Sequence, residues 1–305
     1  MKNALLFYYD IDISNDKINM IDNNYYFTFQ NSNFIVSKYE RSLEEAKELY
    51  NLSEEMISNN IPIYKIILTQ TGNILFDFEN NHYLLMIIPK VKNRIITYND
   101  IINFNYVPIA KKYRLLDKSS WNTFWSNKID YIEYQFNQIE KKYCIIKKSI
   151  NFYIGIWENA ISYFNTNIVN DSEQKCVCHK RLNSKTDILS FLNPLNLVID
   201  YKERDISEYI KYYVMTERYT KENIYSFLKV IPTKKSNIIK FISRTLFPSY
   251  YFDIYEEIIL DIIDENKIID VIKNKKNYLF LLKIVFSYFE KDSIPQIDWI
   301  NNIEF

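Results

Sequence analysis

The chain has 305 residues with 38 basic and 38 acidic side chains, so its formal charge is zero. That balance argues against a nucleic-acid binder held by phosphate contacts, which carries a basic excess, while 48% hydrophobic and 25% charged residues describe a globular chain. Two glycines, Gly72 and Gly155, are too few for a Walker loop or a dinucleotide fingerprint, whose several glycines let backbone approach phosphate.

Met1 to Tyr9 carries one lysine and a short apolar stretch, too short for a secretory h-region. Asn24 to Phe29 and Phe34 to Tyr39 are aromatic and β-branched strand runs, separated by a turn at Asn31-Ser32-Asn33. Ser42 and Glu45 match a capping box, and Leu43, Ala46, Leu49, Tyr50, Met56 and Ile57 follow at helical spacing to about Ser58. Three strands come next, Ile63 to Leu68, Ile74 to Phe78 and His82 to Ile88, turned at Thr71-Gly72-Asn73 and at Asn80-Asn81. Residues 1–90 thus read as a small α+β lobe, with Pro89 and the basic stretch after it as a link.

Residues 91–305 read as a larger, mainly helical lobe. Trp121, Phe124, Trp125, Ile129, Ile132, Phe136 and Ile139 lie along one helical face. Asn151 to Phe164 is apolar nearly all round, the mark of a buried helix. From Cys176 to Asp200 the helical period fails, as in a hairpin-like insert. Later helices are expected over Asp205 to Met215, Thr220 to Val230, Ser236 to Phe247, Phe252 to Ile263 and Asn277 to Phe289. A small mixed lobe followed by a helical lobe with such an insert is the order of a kinase-like fold. The strongest apolar run, Tyr278 to Phe289, is broken by Lys283 and falls short of the ~20 residues of a membrane span. Three cysteines, Cys144, Cys176 and Cys178, make no disulfide framework, so a reducing, cytoplasmic setting is expected.

A phosphotransferase of this architecture needs a phosphate-binding lysine on the strand before the first helix, an acid on that helix, a loop aspartate for the nucleophile and a magnesium aspartate. Lys38 stands where the lysine is expected, and Glu45, Glu48 and Glu55 are its possible helical partners. The loop is Cys176-Val-Cys178-His179-Lys180-Arg181-Leu182. Cys-x-Cys-His invites a zinc reading, but the only other cysteine and histidine, Cys144 and His82, are far away in sequence. Alternating Cys176 and Cys178 also suit one face of a short buried strand.

This loop resembles the catalytic loop of the aminoglycoside-phosphotransferase-like kinases, His-Gly-Asp with an Asn five residues on. His179 matches it, Lys180 replaces the glycine, Arg181 replaces the catalytic aspartate and Thr186 the metal-binding asparagine. A guanidinium has no acceptor and cannot take a proton.

The closer resemblance, over nearly the whole chain, is to the YutH-like branch of the CotS-related spore coat proteins. It rests on Ile63 to Leu85, Trp121-Asn-Thr-Phe-Trp125, Tyr153 to Tyr163 with Glu158-Asn159-Ala160, Asn193-Pro194 leading to Asp200, Arg204-Asp205, and Ile294 to Trp299. The resemblance implies a two-lobed kinase-like fold and a pseudokinase made in the mother cell during sporulation. It implies that the protein is associated with coat proteins as a scaffold, with no nucleic acid and no cofactor. Asp200 falls at a magnesium aspartate's place, Asp205 is expected to tie down the loop by contacting His179, and Glu158 and Asn159 are expected to be buried and satisfied. Two competing readings remain: a phosphotransferase with relocated carboxylates such as Asp187 or Asp200, and a module binding ATP and magnesium through Lys38 without turnover.

Overall fold

A computed structural model describes residues 1–13, 17–139, 142–168, 175–216 and 219–303. The N-terminal part runs α1 (Lys2–Tyr9), β1 (Asn19–Ile21), β2 (Asn24–Phe29), β3 (Ser32–Lys38), α2 (Leu43–Ser58), β4 (Lys65–Ile67), β5 (Phe76–Phe78) and β6 (Asn81–Ile87). The strands form one antiparallel sheet, β1-β2-β3-β6-β4, with β5 also pairing β6.

Three two-residue hairpin turns shape this sheet without glycine. Asp22-Asn23, Gln30-Asn31 and Glu79-Asn80 all take φ between 47° and 61°, the paired positive values of a type I′ turn. Asn is the residue that best tolerates that region after glycine. Two of these turns fall one residue earlier than the sequence pattern indicates, because the loop closes on Phe29↔Ser32 and Phe78↔Asn81. Gly72, at φ 80°, serves a further tight reversal between β4 and β5.

The sheet has two covered faces. Ile35, Leu84 and Met86 pack with Ala46, Leu49, Leu52 and Met56 of α2, in the main core. Phe34, Val36, Phe76, Tyr83 and Leu85 pack with Leu5, Ile11 and Ile13 in a second, smaller cluster. The periodicity signals neither α1 nor β1. A helix of eight residues, about two turns, is marginal by itself, and Leu5, its one buried residue, holds it to the sheet.

The helical part follows as α3 (Tyr98–Asn105), α4 (Trp121–Ile139), α5 (Cys144–Asn167), β7 (Cys176–His179), α6 (Ile188–Leu192), β8 (Leu197–Asp200), α7 (Glu203–Thr216), α8 (Lys221–Leu228), α9 (Lys235–Leu246), α10 (Ser249–Ile259), α11 (Ile268–Lys273), α12 (Lys275–Phe289) and α13 (Asp298–Asn301). On α4 the expected face is buried at Trp121, Trp125, Ile129, Ile132 and Phe136, but Phe124 is half exposed. α5 begins seven residues before the predicted start. α10 starts earlier and stops sooner than predicted, where Asp261 takes φ 55°. No helix among the described residues is long and apolar enough to cross a membrane.

Candidate functional site

β7 and β8 pair antiparallel, Cys176 opposite Asp200 and His179 opposite Leu197, with all eight residues buried. Cys176 and Cys178 lie on one face with Val198, Sγ to Sγ 3.6 Å apart and both free. At the end of β7, His179 is clamped from three sides. Its backbone N–H donates to Asp205 Oδ1 at 3.0 Å, its Nδ1 lies 2.6 Å from Asp205 Oδ2, and its Nε2 lies 2.9 Å from the Phe191 carbonyl. The expected His179–Asp205 contact therefore forms through ring and backbone together. Both ring nitrogens lie within hydrogen-bond distance of an oxygen, so the ring is held at both ends. Phe191 stacks on the ring and Phe104 packs at its tilted side. Asp205 sits in the first turn of α7, where a carboxylate also meets the positive end of the helix dipole.

Asp200, at the end of β8, is fully buried. Its Oδ2 receives Arg204 Nη1 at 2.7 Å and Trp121 Nε1 at 3.1 Å, and its Oδ1 receives the Tyr201 N–H at 2.7 Å. Burial pushes this carboxyl up from its ordinary value, against the pull of Arg204 and Arg244. The place of Arg204 was not read from the sequence, although its dipeptide with Asp205 marked the resemblance. Its Nε donates to the His179 carbonyl at 2.8 Å and its Nη2 to the Lys180 carbonyl at 2.9 Å. One guanidinium thus ties the would-be magnesium aspartate to the backbone of the loop.

The remaining predicted residues do not converge on this carboxylate. Arg181 is half exposed and reaches away to α10, with Asp253, Glu256 and Glu257 at 3.4, 3.3 and 3.7 Å. Thr186 closes a local turn, its hydroxyl accepting from the Asn183 N–H at 3.0 Å. Its carbonyl accepts from Ile96 at 2.9 Å, stitching the loop to the segment before α3. Asp187 caps α6 through the Leu189 and Ser190 N–H groups.

Lys38 pairs across the sheet with Tyr83, whereas Ser37 pairs with Leu84. Side chains alternate along a strand, so the buried Ser37 is the residue directed at the α2 face and Lys38 lies on the other, ion-paired to Glu40 at 2.8 Å. The acids of α2 are engaged elsewhere. Glu45 pairs with Arg41 at 2.7 Å. Glu48 accepts the N–H groups of Arg114, Leu115 and Leu116, and Glu55 those of Ala110 and the Tyr113 hydroxyl. The expectation for Glu158 needs correction: it is exposed, on the solvent side of α5. Asn159, half buried, donates to the Gly155 carbonyl and accepts from Trp299 Nε1 at 3.2 Å, joining α5 to α13.

A magnesium ion does not fit these residues. Both oxygens of Asp200 are already bound by donors, one of them a guanidinium, and among the described residues no three His, Cys, Asp or Glu side chains group to hold a metal. Below the loop an open cavity of about 500 Å³ is lined by α4, the loop and residues of α7, α9 and α10. At its inner wall Glu208 binds Lys211 at 3.0 Å and Arg244 at 2.7 Å. Burial opposes ionisation of Glu208, but these cations hold its carboxyl down to about 2, and burial lowers Lys211 to about 8.

The family described as "Spore coat putative kinase YutH" matches residues 2–278. The chain belongs to the YutH family of spore coat proteins. No curated protein matches it. Among solved structures, this YutH-family chain is similar to AMP-bound spectinomycin phosphotransferase APH(9)-Ia, with a TM-score of 0.58 at 12% identity over 94% of this chain and 97% of that one. It is also similar to an aminoglycoside phosphotransferase from Alicyclobacillus acidocaldarius, with a TM-score of 0.60 at 9% identity over 95% and 96%. Amicoumacin kinase hAmiN gives 0.56 at 12% identity over 92% and 91%. The shared feature is the kinase-like fold.

Proposed function

We propose that this YutH-family protein is a pseudokinase, a kinase-like scaffold that transfers no phosphoryl group and acts by binding proteins of the spore coat. The observation that carries the reading is the Arg204 guanidinium on Asp200, where a metal-binding aspartate would need its oxygens free. Three further features support it. Arg181 stands where the loop needs a proton acceptor and is engaged by the acids of α10. Asp187 is a helix cap. Ser37 rather than Lys38 is directed at α2.

The test is a thermal-shift titration with ATP and magnesium, followed by assay of ATP consumption by the wild type and by Arg181→Asp. The reading expects no saturable stabilisation and no turnover in either. Saturable stabilisation of the wild type would remove the inert-cleft reading in favour of a nucleotide sensor, and turnover would make the protein an enzyme. The coat role is tested by fractionating purified spores, where the reading expects the protein in the coat extract.

A further inference from the structure

We propose that the cavity below the His179 loop binds a small organic anion, a carboxylate or phosphate carried on a planar apolar group. This assignment holds whether or not the chain transfers phosphate. The inner wall is Arg244, which is 5% exposed. Its guanidinium packs 5.6, 5.8 and 5.0 Å from the ring centres of Trp121, Trp125 and Phe247, and its Nε donates to Glu208 at 2.7 Å. Its two terminal nitrogens have no hydrogen-bond partner among the described residues, and the side chain lines the cavity. These donors are not sealed in the protein but open to the cavity, where the oxygens of a ligand can reach them. The paired N–H groups of an arginine match the two oxygens of a carboxylate or phosphate.

The charges around that fork point the same way. Arg244, Lys211 and Arg204 share two carboxylates, Glu208 and Asp200. At the rim, Lys118 and Lys180 donate to the backbone carbonyls of Leu115 and Leu195 and pair with no carboxylate among the described residues. The acids of the opposite wall, Asp253 and Glu257, are engaged by Arg181. This leaves uncompensated positive charge at the Arg244 end, between apolar walls that weaken solvent screening. The half-exposed Phe124 and the partly buried Tyr250 give surface for the apolar part, with the buried Trp121 and Trp125 behind the wall, and about 500 Å³ is the size of a small-molecule site.

The test titrates the full chain with phenyl phosphate, benzoate and inorganic phosphate, with benzylamine as a cation of similar shape. The readout is the NMR indole N–H signals: Trp121 and Trp125 line the cavity, whereas Trp157 and Trp299 do not. Saturable shifts confined to Trp121 and Trp125 are expected with the anions and none with benzylamine. Phenyl phosphate binding more tightly than benzoate would mark a phosphate ligand, and the reverse a carboxylate. Arg244→Lys, which keeps the charge but loses the fork, should weaken binding about tenfold. Because Arg244 is buried, the rim variant Lys118→Glu with Lys180→Glu provides a second test and should weaken binding as much while leaving the fold intact. The proposal is overturned if no anion shifts the two indoles, if benzylamine shifts them equally, or if a folded Arg244→Lys or the rim variant binds like the wild type.

Discussion

Arg204 Nη1 and Asp200 Oδ2 meet at 2.7 Å with Asp200 fully sealed from solvent and Arg204 nearly so. The same guanidinium holds the carbonyls of His179 and Lys180, so one side chain joins the buried carboxylate to the backbone of the loop. Arg204→Ala would leave a buried carboxylate with a lone indole and one amide. A loss of about 3–5 kcal/mol in stability is expected from urea denaturation. Arg204→Lys should recover little of it, since an ammonium cannot reach three acceptors in the fixed fork of a guanidinium. An alanine variant as stable as the wild type would show that the loop is held by something else.

Asp205 accepts from both the ring and the backbone of His179 in a site with no access to water. Asp205→Ala removes both acceptors and should cost about 3 kcal/mol or more. Near-ultraviolet circular dichroism and denaturant melts would register the loosened packing of Phe104 and Phe191 around the imidazole.

The Glu208 cluster predicts an acid limit. The Glu208 carboxyl sits at about 2 in the folded chain, below the roughly 4.3 of an unfolded glutamate. The unfolded chain therefore takes up that proton first, so this stabilisation is complete above about pH 4.3 and is lost as pH falls toward 2. Glu208→Gln should lower stability at neutral pH by leaving Lys211 and Arg244 buried without a carboxylate. It should also flatten the stability difference between pH 4.3 and 2. An unchanged acid slope in the variant would refute the assignment.

Glu48 reaches from α2 to three consecutive backbone N–H groups at residues 114–116. Removing it with Glu48→Ala should cost about 0.5–1.5 kcal/mol, because the Arg114 and Leu115 bonds are exposed and only the Leu116 N–H is part-buried. Hydrogen exchange offers the direct check: the amides of residues 114–116 should lose protection while those of α5 keep theirs.

Lys38 is solvent-facing and pairs with the exposed Glu40. Lys38→Ala should leave the melting temperature unchanged, with or without ATP, because exposed pairs contribute little. A variant that altered an ATP response would reinstate Lys38 as a nucleotide ligand.

The legible and illegible parts of the site differ in kind. The buried Cys176/Cys178 strand and the His179–Asp205 contact were accessible from alternation and from the resemblance. Ser42 caps α2 as its pattern indicates, accepting from the Glu45 N–H at 3.1 Å, but the Glu45 carboxylate turns to Arg41 instead of closing the box. Lys38 shows the sharpest divergence. A single residue of strand parity sends it to the opposite face from α2, and parity depends on pairing with β6, which periodicity in β3 does not report. Glu158 diverges for a related reason: on a helix that is apolar on most sides, the narrow exposed strip is set by neighbours distant in sequence.

By itself the sequence determined the order of the longer strands and helices, the absence of glycine-built phosphate loops, and a guanidinium at the place of a catalytic acid. Those follow from residue types and local spacing. Only the tertiary structure decided which charges meet: Arg204 on Asp200, Glu48 on the backbone at 114–116, Arg244 behind the indoles of α4. Such pairings bring together groups up to more than a hundred residues apart, and they form because packing removes water and leaves each buried charge to find a partner among whatever the fold has placed beside it.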